Sequence, residues 1–187
     1  TDQGTLELAL DNCDRMGRLI KDLQQFGRSS SDEWKAFDLN HAVDSVLLLL
    51  NKHLKMRKAV IRREYGLEPL VIYGEENQIK QVLLKLVNNS AEALSEHGGT
   101  IEIRTFRDNN RLKIAVIDDG SGISEEHLPQ LFDPFFSTKS DVRETGLGLS
   151  VAYGIIKAHG GEIAVTTKLG HGTTFTIILP DGIEVGQ

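Results

Sequence analysis

Cysteine is almost missing from this 187-residue chain, with Cys13 the single example. One thiol cannot build an internal disulfide framework or a thiolate metal cluster, which fits a reducing compartment. Basic runs are missing too. The balance of Lys and Arg against Asp and Glu is 21 − 27 = −6, which argues against nucleic acid or anionic lipid as the main partner. There is no long hydrophobic run either. The most apolar stretch, Val46 to Leu50, is far too short to span a bilayer, and no signal peptide is visible. These absences predict a cytoplasmic protein. Any membrane segment would belong to a parent polypeptide, of which a chain starting at Thr1 rather than Met reads as an excised piece.

Hydrophobic residues make up 40% of the sequence, enough for the core of one ordinary domain with an appendage. Leu6, Ala9, Cys13, Met16, Ile20 and Leu23 alternate three- and four-residue spacings. That seam fits one helix of a coiled coil or bundle, and equally an amphipathic helix packed on its own domain. The seam ends at Phe26-Gly27, and the polar stretch Arg28 to Asp32 reads as a linker. Residues 1–30 are therefore assigned to one long helix and its linker, and 31–187 to the folded domain.

In that domain Asp38 or Asn40 can cap a helix carrying Val43, Val46, Leu47, Leu50 and Leu54. Ala59 to Tyr65 and Leu70 to Tyr73 read as short strands. Ile79, Val82, Leu83, Leu86, Val87, Ser90, Ala93 and Leu94 share a helical face that ends at His97-Gly98-Gly99. Ile101 to Phe106 and Leu112 to Ile117 alternate around Asp108-Asn109-Asn110, the signature of a hairpin. A helix from Leu149 to His159 stops at Gly160-Gly161, and Glu162 to Thr167 with Thr173 to Leu179 form a second hairpin. The predicted class is α+β: a two-layer arrangement of one mixed, mainly antiparallel sheet with helices on one face.

Four places carry chemistry. On the second helix of the domain, Asn89 falls on the flank of the apolar stripe, beside Lys85 and Glu92. An amide there can offer oxygen to a hard cation such as Mg²⁺, or simply face water. Asp118 closes the strand from Leu112 and is followed by Asp119-Gly120-Ser121-Gly122. A buried carboxylate needs a donor, and the exocyclic amine of adenine is one. Gly120 and Gly122 would let a flat ring approach the backbone. Taken alone, the same five residues form a turn. Gly146-Leu147-Gly148 opens a helix, whose free N–H groups and positive dipole end suit phosphates. Between the two glycine clusters, Leu131 to Lys139 holds three aromatics and ends in Ser-Thr-Lys. It reads as a ring-anchored loop presenting Lys139 to phosphate, or as core aromatics beside a solvated lysine. The polar segment Ser137 to Thr145 has the composition of a lid.

Taken jointly, these motifs resemble the ATP-binding domain of sensor histidine kinases, in the superfamily of gyrase, Hsp90 and MutL. Leu83 to Leu94 is similar to the N box, Val116 to Ile123 to the first glycine box, and Leu131 to Lys139 to the F box. Thr145 to Leu149 and Gly170 to Phe175 are similar to the second and third glycine boxes, all in family order. The likeness covers roughly residues 35 to 180. It implies that Asn89 helps coordinate Mg²⁺ beside the triphosphate of ATP and that Asp118 receives the adenine amine. Gly120 and Gly122 would shape the base pocket, and Lys139 would reach phosphate. Gly146, Leu147 and Gly148 would hold phosphates by backbone N–H groups, and Thr173 would sit at the pocket floor. Family N boxes usually have asparagine, or in hydrolysing members a glutamate base, where this chain has Lys85. A lysine in water stays protonated at neutral pH and cannot be that base, so Lys85 argues against an ATP hydrolase.

The resemblance also gives the seam a role. Leu6 to Phe26 would be the second helix of a dimerising hairpin, whose first helix carries the phosphate-accepting histidine. None of His41, His53, His97, His127, His159 and His171 is followed by the acidic residue and nearby proline of an acceptor box, so the acceptor is expected upstream. The expectation is the catalytic part of a two-component sensor kinase: homodimeric when whole, and partnered by the receiver domain of a response regulator. The alternatives are another ATPase or serine kinase of the superfamily, or a degenerate interaction module that ignores ATP.

Overall fold

A computed structural model of the chain describes residues 33–137 and 146–181. The Leu6 to Phe26 seam with Cys13, the linker from Arg28, and Lys139 with the polar segment to Thr145 lie outside the described residues.

The domain opens with a short strand, β1 (Lys35–Asp38), and turns directly into α1 (Leu39–Met56). Asp38 takes the cap position. Its carboxylate accepts from the Asn40 N–H at 2.7 Å and the His41 N–H at 3.4 Å, filling two of the donors that a helix start leaves open. Asn40, the other cap candidate, is used elsewhere. Its amide oxygen accepts from the Thr105 hydroxyl at 2.6 Å, tying the helix to the sheet beneath.

Next come β2 (Ala59–Tyr65), β3 (Val71–Gly74), α2 (Glu76–Ala93), β4 (Gly99–Asp108) and β5 (Arg111–Asp118). A short 3₁₀ helix (Glu125–Gln130) leads towards α3 (Gly148–Ala158), β6 (Glu162–Lys168) and β7 (Gly172–Pro180). The main sheet runs β2-β4-β5-β7-β6, with β2 parallel to β4 and every other pair antiparallel. The β4–β5 hairpin turns through Asn109 and Asn110, both at positive φ, which matches the twist of the flanking strands.

Alternation along the strands gives the sheet two unlike faces. On β5, Leu112, Ile114, Val116 and Asp118 are buried, while Arg111, Lys113 and Ile117 are half-exposed. The buried face meets the helices. Ile101, Ile103, Leu112, Ile114 and Ile177 pack with Ile79, Leu83 and Leu86 of α2 and Ile156 of α3 in one core. Burial contributes about 1.5–3 kcal/mol for each such side chain. The α+β reading with helices on one face holds.

Two details differ from expectation. The Leu70 to Tyr73 strand does not join the main sheet: β3 pairs with β1 in a two-stranded antiparallel sheet of its own. And α2 stops at Ala93 rather than running to the glycines, because Leu94 turns to an extended conformation. The Arg57 guanidinium then donates to the carbonyls of Ala91, Glu92 and Leu94 at 2.9–3.1 Å. A cation at a helix C-terminus is electrostatically favoured, and here it fixes the end of the helix that carries Asn89.

Candidate nucleotide site

The site begins where β5 ends. Strand alternation sends successive side chains to opposite faces, so Asp118 and Asp119 part company. Asp119 accepts from the Thr100 N–H at 2.8 Å at the start of β4. Asp118 faces the helices and is 5% exposed. Three donors from three elements reach its carboxylate. The Gly120 N–H lies at 3.0 Å and the Thr173 N–H at 3.2 Å from Oδ1, and the Ser90 hydroxyl at 2.9 Å from Oδ2. Burial pushes the Asp118 pKa above its ordinary value of 3.8. The three hydrogen bonds work against that shift, and the neighbouring Asp119 charge adds to it.

The loop after Asp118 is pinned on both sides. The Ser121 N–H donates to the Ala93 carbonyl at 2.9 Å and the Ile123 N–H to the Thr167 hydroxyl at 2.9 Å. That hydroxyl also lies 3.0 Å from the Thr173 hydroxyl and donates to the Gly172 carbonyl at 3.0 Å. Gly120 and Gly172 are required by close packing. A Cβ on Gly120 would stand 2.6 Å from the Ala93 carbonyl oxygen, and one on Gly172 (φ +96°) would overlap the carbonyl of Asp118.

Above this floor is an open cavity of about 480 Å³, within the usual range for a small-molecule site. Asp118, Gly122 and Thr173 line one end. Asn89, Lys85 and Glu92 line the α2 side, and Gly146 and Gly148 line the mouth of α3. Ile123, Leu131, Phe136, Leu149 and Phe175 supply apolar walls. The chemistry fits a nucleotide: an acceptor in an apolar slot at one end, and a cation with a helix N-terminus at the other.

The structure thus brings Asn89, Asp118, Gly122, Gly146, Gly148 and Thr173 to one cavity. Gly120 stands behind the wall and serves it by donating to Asp118. Leu147 is buried at the cap position of α3 and is not part of the lining. The F-box loop is anchored by two of its three rings. Phe132 packs on Tyr153 of α3 at 5.2 Å and Phe136 on His127 at 5.6 Å, while Phe135 is 70% exposed. The Phe135 N–H donates to the Gly146 carbonyl at 3.0 Å, joining the F box to the second glycine box.

Sequence reasoning missed two supports. Ser90 is more than a core-facing residue, since its hydroxyl holds the Asp118 carboxylate. A serine on an otherwise apolar helical face was the available signal. Thr167 joins the first and third glycine boxes and had no signal at all, because a threonine in an exposed strand is ordinary.

Residues 74–183 match the family described as "Histidine kinase-, DNA gyrase B-, and HSP90-like ATPase". The chain is 34% identical over 179 residues to the signal transduction histidine-protein kinase AtoS of Escherichia coli (strain K12). That match covers 95% of the chain and 29% of AtoS, so the chain spans under a third of this relative's length. The solved catalytic domain of the histidine kinase ThkA superposes with a TM-score of 0.72 at 32% identity, covering 80% of this chain and 97% of that domain. ThkA solved in complex with the response regulator protein TrrA superposes with a TM-score of 0.77 at 27% identity, covering all of this chain and 53% of that one.

Proposed function

We propose, for a chain that belongs to the histidine kinase-, DNA gyrase B- and HSP90-like ATPase family as a histidine kinase catalytic domain, that it holds Mg·ATP for transfer of the γ-phosphoryl group to a histidine on another segment of the parent protein. The phosphoryl group would then pass to an aspartate of a response regulator receiver domain. The solved complex of ThkA with TrrA supports that choice of partner. Residues 1–30 would supply one helix of the bundle through which the parent protein pairs with a second copy.

The observation that carries this reading is the tethered carboxylate of Asp118. Three protein donors hold it in place, and the lone-pair capacity that remains would accept the adenine amine. Gly122 would shape the wall of the base pocket, where a φ of +69° and the nearby Lys168 carbonyl leave no room for a Cβ, and Thr173 would fix the floor. Gly146 and Gly148 would present N–H groups to the phosphates at the positive end of α3. Leu147 would hold the backbone of that turn by its burial, and Lys139 would add a cation.

Asn89 is half-buried on the cavity side of α2, with an amide oxygen suited to Mg²⁺. Among the described residues no group of three or more His, Cys, Asp and Glu could hold a metal ion. Asn89 therefore fits as a single protein ligand, with phosphate oxygens and water completing the shell. Bound there, the ion would neutralise charge that develops on the transferred group. In transfer the bond from the γ-phosphorus to the ADP oxygen breaks as one to an imidazole nitrogen forms. This chain's share of that reaction is orientation and charge.

Calorimetric titration with ATP, ADP and GTP in Mg²⁺ tests the site. Adenine nucleotides should bind and GTP should not. Incubation with γ-³²P-ATP should label a histidine-bearing segment of the parent protein when it is supplied, in acid-labile, base-stable form, and not this chain alone. Steady phosphate release without an acceptor would instead indicate a hydrolase. A chain that binds no nucleotide would be an interaction module.

A further inference from the structure

Lys85 sits one turn before Asn89 on α2, and both line the cavity. Its side chain does not run out into solvent. It lies across the first residue of α3, so that a Cβ on Gly148 would overlap Lys85 Cε and stand 2.8 Å from Nζ. Lys85 and Gly148 also line a second, smaller cavity of about 280 Å³ between α2 and α3. Lys85 and Gly148 are thus common to the walls of both spaces. Among the described residues, no carboxylate or carbonyl partners the Lys85 ammonium within hydrogen-bond or ion-pair distance. The neighbouring cations of the fold are spent differently: Lys80 and Lys35 pair with Glu76, and Arg57 closes α2.

A half-buried ammonium with no partner among the described residues, laid over the positive end of a helix, is unfavourable unless an anion joins it. The geometry supplies the place. Ser90, which touches Asp118, is five residues further along α2, or about 7.5 Å along its axis. A ligand with its base at Asp118 therefore extends its phosphates toward Lys85 and Gly148. Among the described residues, the carboxylates that line this cavity are Glu92, three residues beyond Asn89 on α2, and Asp118, which Ser90 touches.

Building on the nucleotide reading above, we infer that Lys85 is a phosphate-binding residue, whose fixed charge takes over part of the neutralisation that Mg²⁺ supplies, so that this chain binds ATP with only weak dependence on a divalent cation. A single protein oxygen ligand, Asn89, is consistent with this division. The lysine is the permanent cation of the site and the metal the exchangeable one.

The test is titration of the whole chain with ATP, ADP and adenosine, in excess Mg²⁺ and in EDTA. The wild-type chain should lose less than about tenfold in ATP affinity when Mg²⁺ is removed. In EDTA, Lys85→Met should weaken ATP and ADP binding by about tenfold or more, with a smaller loss in Mg²⁺. Adenosine should bind both alike. Lys85→Arg, which keeps the charge, should stay within about threefold of wild type in EDTA. The inference is overturned if Lys85→Met binds ATP in EDTA as the wild type does, or if it loses adenosine as much as ATP. The nucleotide reading fails by a different result, a wild-type chain that binds neither ATP nor adenosine.

Discussion

At the Asp118 end of the cavity four elements converge on one carboxylate, whereas at the Lys85 end two helices meet with a cation between them that has no partner among the described residues. β5 carries Asp118, α2 and β7 donate to it through Ser90 and Thr173, and the following loop donates through Gly120. Its geometry is set before any ligand arrives. The Lys85 end is made from a flexible side chain, an amide and the glycines that open α3, and none of them is locked by a comparable set of hydrogen bonds among the described residues. On the proposed reading the adenine end rests on the sheet, which would make specificity part of the fold. The phosphate end would lie between helices, open to a ligand that changes charge as it reacts. A change that displaces the backbone at the first end should therefore harm stability and binding together, and damage at the second binding alone.

The largest effect is expected at the floor. Gly172 has φ +96°, and an alanine Cβ there would overlap the Asp118 carbonyl and lie 3.0 Å from the Asp119 Cα. Left-handed backbone costs about 1–2 kcal/mol for a residue with a Cβ. The overlap with rigid backbone should raise the total for Gly172→Ala to about 3 kcal/mol. For a domain of this size that is a fall of roughly 6–12 °C in Tm, read by thermal unfolding, with nucleotide binding lost in parallel. Normal stability in this variant would break the claim that the floor is integral to the fold.

Asp118→Asn comes next and separates binding from stability. The amide oxygen can still accept from Gly120 and Thr173, and the Ser90 hydroxyl can turn to accept from the new NH₂. Folding should survive, helped by the removal of a buried charge. The adenine amine, however, would meet a donor in place of an acceptor. A mismatch at a charged hydrogen bond is worth about 2–3 kcal/mol, or roughly 30- to 150-fold in ATP affinity by calorimetry. Unchanged affinity would remove Asp118 from the base site.

Gly148→Ala probes the opposite end with a smaller effect. The obstacle to its Cβ is the far end of the Lys85 side chain, which can swing aside. Stability should change by less than about 1 kcal/mol, since alanine also favours the helix. ATP should bind about fivefold more weakly and adenosine normally, by the loss of a charge-assisted contact. A stability loss as large as that of Gly172→Ala would erase the contrast between the two ends.

What could be read in the sequence follows the same division between local and distant causes. The Asp38 cap, the Asn109-Asn110 turn and the alternation of β5 are each decided within a few residues, and all three were legible. So was the glycine cluster at α3. The β1–β3 pair was not, because four-residue strands carry too little pattern to announce a partner across a helix. Arg57 was illegible for a similar reason, since its partners lie 34 to 37 residues away. Ser90 donates to a carboxylate 28 residues further on, and its place on an apolar face signals a buried hydroxyl without saying which group it holds. Asn89, Asp118, Gly122, Gly146, Gly148 and Thr173 could be named in advance as cavity residues, while the supports that hold Asp118 needed the fold.

Ser90 therefore gives the finest test, through pH. Burial raises the Asp118 pKa above 3.8, and the Ser90 hydrogen bond is one of the forces lowering it. A carboxyl with a raised pKa binds its proton more tightly in the folded chain than in the unfolded one. Its contribution to stability is thus fully present below pH 3.8 and is lost as pH rises through the folded value. Nucleotide binding has the opposite sign, because the ionised form is the better acceptor for an amine. ATP affinity should fall on acidification with a midpoint above 3.8, and in Ser90→Ala the midpoint should move higher still, since a donor to the ionised form is gone. At neutral pH the same variant should bind ATP only about threefold more weakly, the Gly120 and Thr173 donors remaining in place. A midpoint that stays fixed or moves down in Ser90→Ala would mean that the serine does not hold the carboxylate, and the rigid end of the cavity would rest on two donors instead of three.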